Sequence, residues 1–210
     1  MEAAKTDHDF HAALEEGTCE QVENFVDDCK FLHANSRTDL EKLRAVVANF
    51  RKLANFFNHS TKGVDCLRAL QTKEMLPQTD CATRWNSTYA MLLRMLEIRA
   101  TTGEFLKSTA QQPTAEKWLT IRCLVVLLRP FADAADGLSG QKYPTLAIAV
   151  PVLRSIERKL KNETMFDAVI RSVGNEEFRS RVELFMYSIR KTYFKLFVDK
   201  FKNKLPEDLL

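Results

Sequence analysis

The chain has 210 residues, of which 45% are apolar and 28% charged, with only six glycines and six prolines. That apolar share supports a buried core and excludes wholesale disorder, and so few turn-forming residues disfavour sandwiches and barrels. The formal net charge of +3 hides an asymmetry: residues 1–40 carry three basic and ten acidic side chains, net −7, and the other 170 carry 28 basic and 18 acidic, net +10.

A basic body behind an acidic start fits an anionic partner such as nucleic acid, although a solvated helix face explains the same charges. No apolar stretch approaches the roughly 20 residues a membrane span needs. The N-terminus lacks the apolar core of a secretory signal, so secretion is not expected. Five cysteines, Cys19, Cys29, Cys66, Cys81 and Cys123, include no CxxC pair and read most simply as reduced thiols. Without secretion, the glycosylation sequons at Asn58, Asn86 and Asn162 stay idle.

In chain order the pattern is helix after helix. Residues 19–33 form a short candidate with Val22, Phe25, Val26 and Cys29 on one side. Ser36 and Asp39 resemble a capping box opening a helix to about Asn58. Its stripe is Leu40, Leu43, Val47, Phe50, Ala54 and Phe57. Ser60-Thr61 punctuates, and a second helix covers about 63–75, ended by Pro77. The loop QTDCATR leads into a helix expected to run to about Lys107, with Trp85, Tyr89, Leu92, Leu93 and Leu96 on one face. Thr114 is an N-cap candidate for the most apolar helix, which must kink or stop at Pro130. Tyr143-Pro144-Thr145 restarts the chain into a helix to about Lys161, and Thr164 can cap a short one to about Val173. Asn175-Glu176-Glu177 opens the last, with Phe178, Val182, Phe185, Ile189, Tyr193, Leu196 and Val198 or Phe197 as its stripe. No segment reads as a strand. The fold class is all-α, a multi-helix bundle.

The chemistry-bearing motifs are mostly absent. There is no GxGxxG or GxxxxGK[ST] nucleotide loop, no GxSxG elbow and no HExxH. His8, His11, Cys29 and His33 could offer four zinc ligands, but their spacing matches no zinc module, and solvated histidines with a buried cysteine is the simpler reading. Asp133 and Asp136 lie three apart on a helix with no third ligand nearby, which describes a solvated face. No cofactor or metal is expected. The most specific signal is Thr83-Arg84-Trp85-Asn86-Ser87-Thr88-Tyr89, a polar loop-to-helix junction. On physics alone Trp85 reads either as a core anchor or as a stacking ring beside the Arg84 guanidinium, suited to an unpaired base and a phosphate.

The run from Thr83 to Thr88 resembles the TRWNST signature of hAT-superfamily transposases and of their BED zinc-finger relatives. Leu138-Ser139-Gly140, Tyr143-Pro144-Thr145 and Pro151 resemble a second segment of that family, in its order and at about its spacing. The resemblance covers about residues 40–208. It implies the helical insertion of such transposases, without the ribonuclease-H-like core that surrounds it. None of the family's three catalytic carboxylates can be matched to a residue here, and the BED finger is missing. The expectation is therefore not an enzyme but a fragment or domesticated remnant, with an acidic segment over 1–38 and a helical domain over 39–208. DNA, of a transposon-end or hairpin kind, is the partner it implies, with nuclear placement by resemblance alone and cytoplasmic placement otherwise. Arg84 and Trp85 are the motif-matched contacts. Arg179, Arg190, Lys191 and Lys195 on the last helix are candidates for phosphate. The alternative is a protein-interaction or self-association module without DNA binding.

Overall fold

A computed structural model describes residues 34–71, 75–80, 85–106, 112–139, 146–174 and 176–202. Among them lie helices α1 (Ala34–His59), α2 (Thr61–Leu70), α3 (Trp85–Glu97), α4 (Arg99–Leu106), α5 (Ala115–Ser139), α6 (Leu146–Lys161), α7 (Asp167–Arg171) and α8 (Phe178–Phe197), the last extended by a π-helical turn, Val198–Lys202. No strand occurs among the described residues, and the all-α expectation holds. The candidate helix 19–33 and the zinc candidates His8, His11, Cys29 and His33 lie outside the described residues.

The most apolar segment becomes the centre of the bundle. Helix α5 buries Trp118, Leu119, Ile121, Cys123, Leu124, Val125 and Leu127. It packs against α1, α3, α6, α7 and α8, so its sides meet protein rather than water. The α1 stripe reads as its spacing predicts, with Leu40, Leu43, Phe50, Ala54 and Phe57 buried and Val47 half-buried. Phe50 meets the Trp118 ring edge-on at 4.8 Å, and the Arg99 guanidinium lies 5.2 Å from the other partner of that stack, Trp118.

Several boundaries differ from the sequence reading, each for a local reason. Helix α1 starts at Ala34, before the expected cap at Ser36. Asp39 accepts instead from the Ser188 hydroxyl at 2.5 Å, tying α1 to α8. Helix α2 begins at Thr61 because Ser60 caps it, accepting from the Gly63 amide at 3.2 Å, and it ends at Leu70 rather than 75. The helix expected to run to Lys107 is interrupted at Ile98, where the Thr102 hydroxyl bonds back to the Ile98 and Arg99 carbonyls at 3.1 Å. In α3 the buried set is Met91, Leu92 and Met95, joined by Ile98 just past its end, and Leu93 is exposed. Helix α5 runs through Pro130 without stopping. Asn162, not Thr164, organises the next turn, its side-chain oxygen accepting from the Thr164 amide and hydroxyl. Glu177 caps α8 without a side-chain bond. The buried face of α8 is Val182, Met186, Ile189 and Phe197, flanked by half-buried Phe178, Phe185, Tyr193 and Leu196. The Thr114 cap holds, its hydroxyl accepting from the Lys117 amide at 3.3 Å.

Cys123 is fully buried on α5, and desolvation pushes its thiol from an ordinary 9.0 up to about 12. The thiol therefore keeps its proton in the fold at any pH where the unfolded chain begins to lose it. Above about pH 9 the unfolded state sheds that proton first, so this residue's contribution to stability falls as pH rises. Below pH 8 it adds no pH dependence. At pH 8, iodoacetamide is expected to leave Cys123 unmodified in the native chain and to label it in denaturant, as peptide mass spectrometry would read. Equal labelling rates in the two states would contradict this placement.

Candidate nucleic-acid interface

The motif that opens α3 is fastened by a residue outside it. Asp80, whose side chain is wholly inaccessible, accepts from Arg51 on α1 through Nε at 2.8 Å and Nη2 at 2.5 Å. Its carboxylate also accepts from the Ser87 hydroxyl at 2.5 Å and the Thr88 hydroxyl at 3.0 Å, both in the first turn of α3. A carboxylate at a helix N-terminus also meets the positive end of the macrodipole. One buried anion thus joins a guanidinium on α1 to two hydroxyls of α3, with its charge and lone pairs satisfied. Next to it the Asn58 amide donates to the Thr79 hydroxyl at 3.1 Å, a second tie between α1 and this connection.

Trp85 is the first residue of α3. Thr83 and Arg84 lie outside the described residues, as does the Trp85 side chain. Beside that end, Gln78, Asn86, Tyr89, Ala90, Leu93, Arg94 and Glu97 line an open groove of about 270 Å³, closed on the far side by Ala132 and Asp136 of α5. Asn86 donates to Asp136 at 3.4 Å, and its own side-chain oxygen is buried with no hydrogen-bond partner among the described residues. Asp133, three residues before Asp136, sits 3.9 Å from Arg129 on the exposed side of α5. Among the described residues no group of three His, Cys, Asp or Glu side chains could hold a metal ion.

The four candidates on α8 divide. Arg190 is buried, 5% exposed at its side chain, donates through Nη1 to the Leu160 carbonyl at 2.6 Å and has Nη2 3.6 Å from Glu163. Its guanidinium also lies 5.8 Å from the Tyr187 ring. Leu160 belongs to the last turn of α6, so Arg190 satisfies a helix-end carbonyl and faces the negative pole of that helix. This corrects its assignment to phosphate: the guanidinium is enclosed by protein. Arg179 is half-buried in the first turn of α8, and Lys191 and Lys195 are exposed. At roughly 100° per residue, Lys191 and Lys195 share a face, while Arg179 falls on the side of Arg190. Helix α3 packs on α1 and α5, whereas α8 packs on α1, α5 and α6.

Asp80 and Arg51 escaped the sequence reading. A signal existed, since Asp80 is the one acidic residue between Glu74 and Glu97, in front of a helix start rich in hydroxyls.

Comparison with known proteins follows the same stretch of chain. Residues 31–125 match the family model of the ZBED1 RNase-like helical domain. A putative transcriptional regulator, tpeD, of Talaromyces stipitatus is 30% identical over 135 residues, covering 60% of this chain and 16% of its own length. The putative AC transposase of Zea mays is 39% identical over 71 residues, 31% of this chain and 9% of that protein. The zinc finger BED domain-containing protein RICESLEEPER 2 of Oryza sativa subsp. japonica is 23% identical over 154 residues, 69% of this chain and 21% of its own. The chain thus spans between 9% and 21% of the lengths of these relatives. No solved structure matches. No helix among the described residues is long and apolar enough to cross a membrane. Residues 31–125 are thus similar to the helical region of hAT-type transposase relatives.

Proposed function

We propose that this chain is a domesticated, non-catalytic hAT-type helical module that binds DNA through the start of α3 and acts in the nucleus. The observation that carries the proposal is the Asp80 clamp. It fixes the first turn of α3 to α1, so that Trp85 begins a helix whose position is set before any ligand arrives. A ring presented from a fixed turn loses less freedom on binding than one on a loose loop. Arg84 precedes it as the phosphate partner, and stacking on Trp85 suits an unpaired base of any sequence. Lys191 and Lys195 of α8 add phosphate contacts from a separate surface. The relatives support this reading, being named as a transposase, a transcriptional regulator and a BED zinc-finger protein.

Fluorescence anisotropy of a DNA hairpin with unpaired flanking bases tests it. Affinity is expected to fall at least tenfold between about 50 and 200 mM salt. A folded Trp85→Ala variant is expected to lose roughly 1–3 kcal/mol of binding. Equal affinity in the variant, or binding that ignores salt, would sink the proposal.

A further inference from the structure

Where α6 meets α8, cations from both helices stand on one surface. At roughly 100° per residue, Arg154, Arg158 and Lys161 fall within about 60° of one another on α6, and all three are exposed. The Lys161 ammonium lies 5.9 Å from the Phe194 ring of α8, which brings the two helices' faces side by side. Lys191, one turn before Phe194 and about 60° round α8 from it, is exposed as well, with Lys195 one turn further on. Three acids border this surface. Glu157 accepts from Lys161 at 2.8 Å, the exposed Glu163 lies 3.6 Å from Arg190, and Asp199 follows Lys195 by one turn. Arg190 adds a charge beneath the seam, since its guanidinium is buried and its Nε has no hydrogen-bond partner among the described residues. A cation enclosed in low-dielectric protein is poorly screened, so its field reaches the neighbouring surface.

The chemistry of this surface selects its partner. The exposed positions of α6 from 154 to 161 are Arg154, Ser155, Arg158, Lys159 and Lys161, so an acidic amphipathic peptide finds no apolar strip there to anchor on. On α8 the exposed Leu184 lies about 10 Å along the helix from Lys191, outside the row of cations. Phe194 is half-buried with Lys161 over it, so an unpaired base finds no open ring. What remains is a row of charges on two packed helices. Arg154 to Lys161 spans about 10 Å of helix, the length of roughly three phosphates of one strand. We infer that the seam between α6 and α8 holds the phosphate backbone of double-stranded DNA without contact to its bases. This inference rests on the reading that the chain binds DNA, but not on the contact at Trp85. The two contacts divide the ligand, with unpaired bases at the start of α3 and duplex at the seam.

Fluorescence anisotropy of the full chain on a blunt duplex with no unpaired base, across a salt series, tests the inference. Arg158→Gln with Lys191→Gln is expected to reduce the slope of log affinity against log salt by about two and to weaken binding at least tenfold at low salt. Arg158→Lys with Lys191→Arg keeps both charges and should keep the slope. Lys52→Gln with Lys62→Gln removes the same charge from exposed positions of α1 and α2, and should leave slope and affinity unchanged. All these positions are exposed or half-exposed to solvent, so each variant should keep the wild-type circular dichroism. Trp85→Ala should leave the blunt duplex unaffected while weakening the hairpin. A Trp85→Ala variant silent on the hairpin would sink the contact at α3 and leave the seam standing. No binding of the blunt duplex at low salt, an equal loss in the variant at positions 52 and 62, or displacement by polyglutamate as readily as by duplex of equal charge would overturn the proposal.

Discussion

Replacing Asp80 by alanine is expected to lower the unfolding free energy by roughly 2–4 kcal/mol, read from urea denaturation. The wild-type carboxylate is wholly buried and accepts from Arg51, Ser87 and Thr88. Its loss strands a guanidinium and two hydroxyls at a junction of α1 and α3. Arg51 keeps about a third of its side chain in water, 36% exposed, so part of its charge is recovered by solvent and the effect stays below that of a fully enclosed pair. Asp80→Asn should fall between, since an amide oxygen still accepts from a hydroxyl but carries no charge. Arg51→Ala combined with Asp80→Ala should cost less than the two single changes summed, because each removes the same interaction. A urea midpoint unchanged in Asp80→Ala would contradict the clamp.

Arg190→Ala is the second large effect, expected at roughly 3 kcal/mol of lost stability. The change removes a donor 2.6 Å from the Leu160 carbonyl and empties an enclosed space in the bundle. Arg190→Met fills most of that space without donating a hydrogen bond, so it separates the two costs and should recover part of the loss. Arg190→Lys restores a single donor but not the planar fork, and is expected to remain below wild type. The alternative role on DNA gives the opposite pattern. A phosphate contact would make Arg190→Met fully stable and weaker on DNA, and that result would return this residue to the interface.

The helices were legible in the sequence because apolar spacing states which side of a helix must leave water, as the α1 stripe and the all-round apolar α5 show. What the spacing left open were contacts between elements far apart in sequence. Asp80 lies 29 residues from Arg51, and Arg190 lies 30 residues from Leu160. Nothing local distinguishes an arginine that caps a distant helix from one that waits for a phosphate. The stripe on α8 slipped for a related reason: three neighbouring elements, α1, α5 and α6, cover it, so apolar residues occupy more than one helical face. Pro130 failed to stop α5 because packing on several sides outweighs one missing backbone bond. In the candidate interface, the motif singled out the start of α3 but not why Ser87 and Thr88 stand there, which is Asp80.

That division has an evolutionary consequence. Ser87 and Thr88 answer to Asp80 and hence to folding, so purifying selection for a stable protein alone would retain hydroxyls there in any descendant that still uses this bundle. Under the proposed DNA contact, Arg84 and Trp85 answer to the ligand instead. In a lineage freed from DNA, positions 84 and 85 would drift while 80, 87 and 88 stood still, and the pattern of substitution across the motif would record which lineages kept the nucleic-acid role.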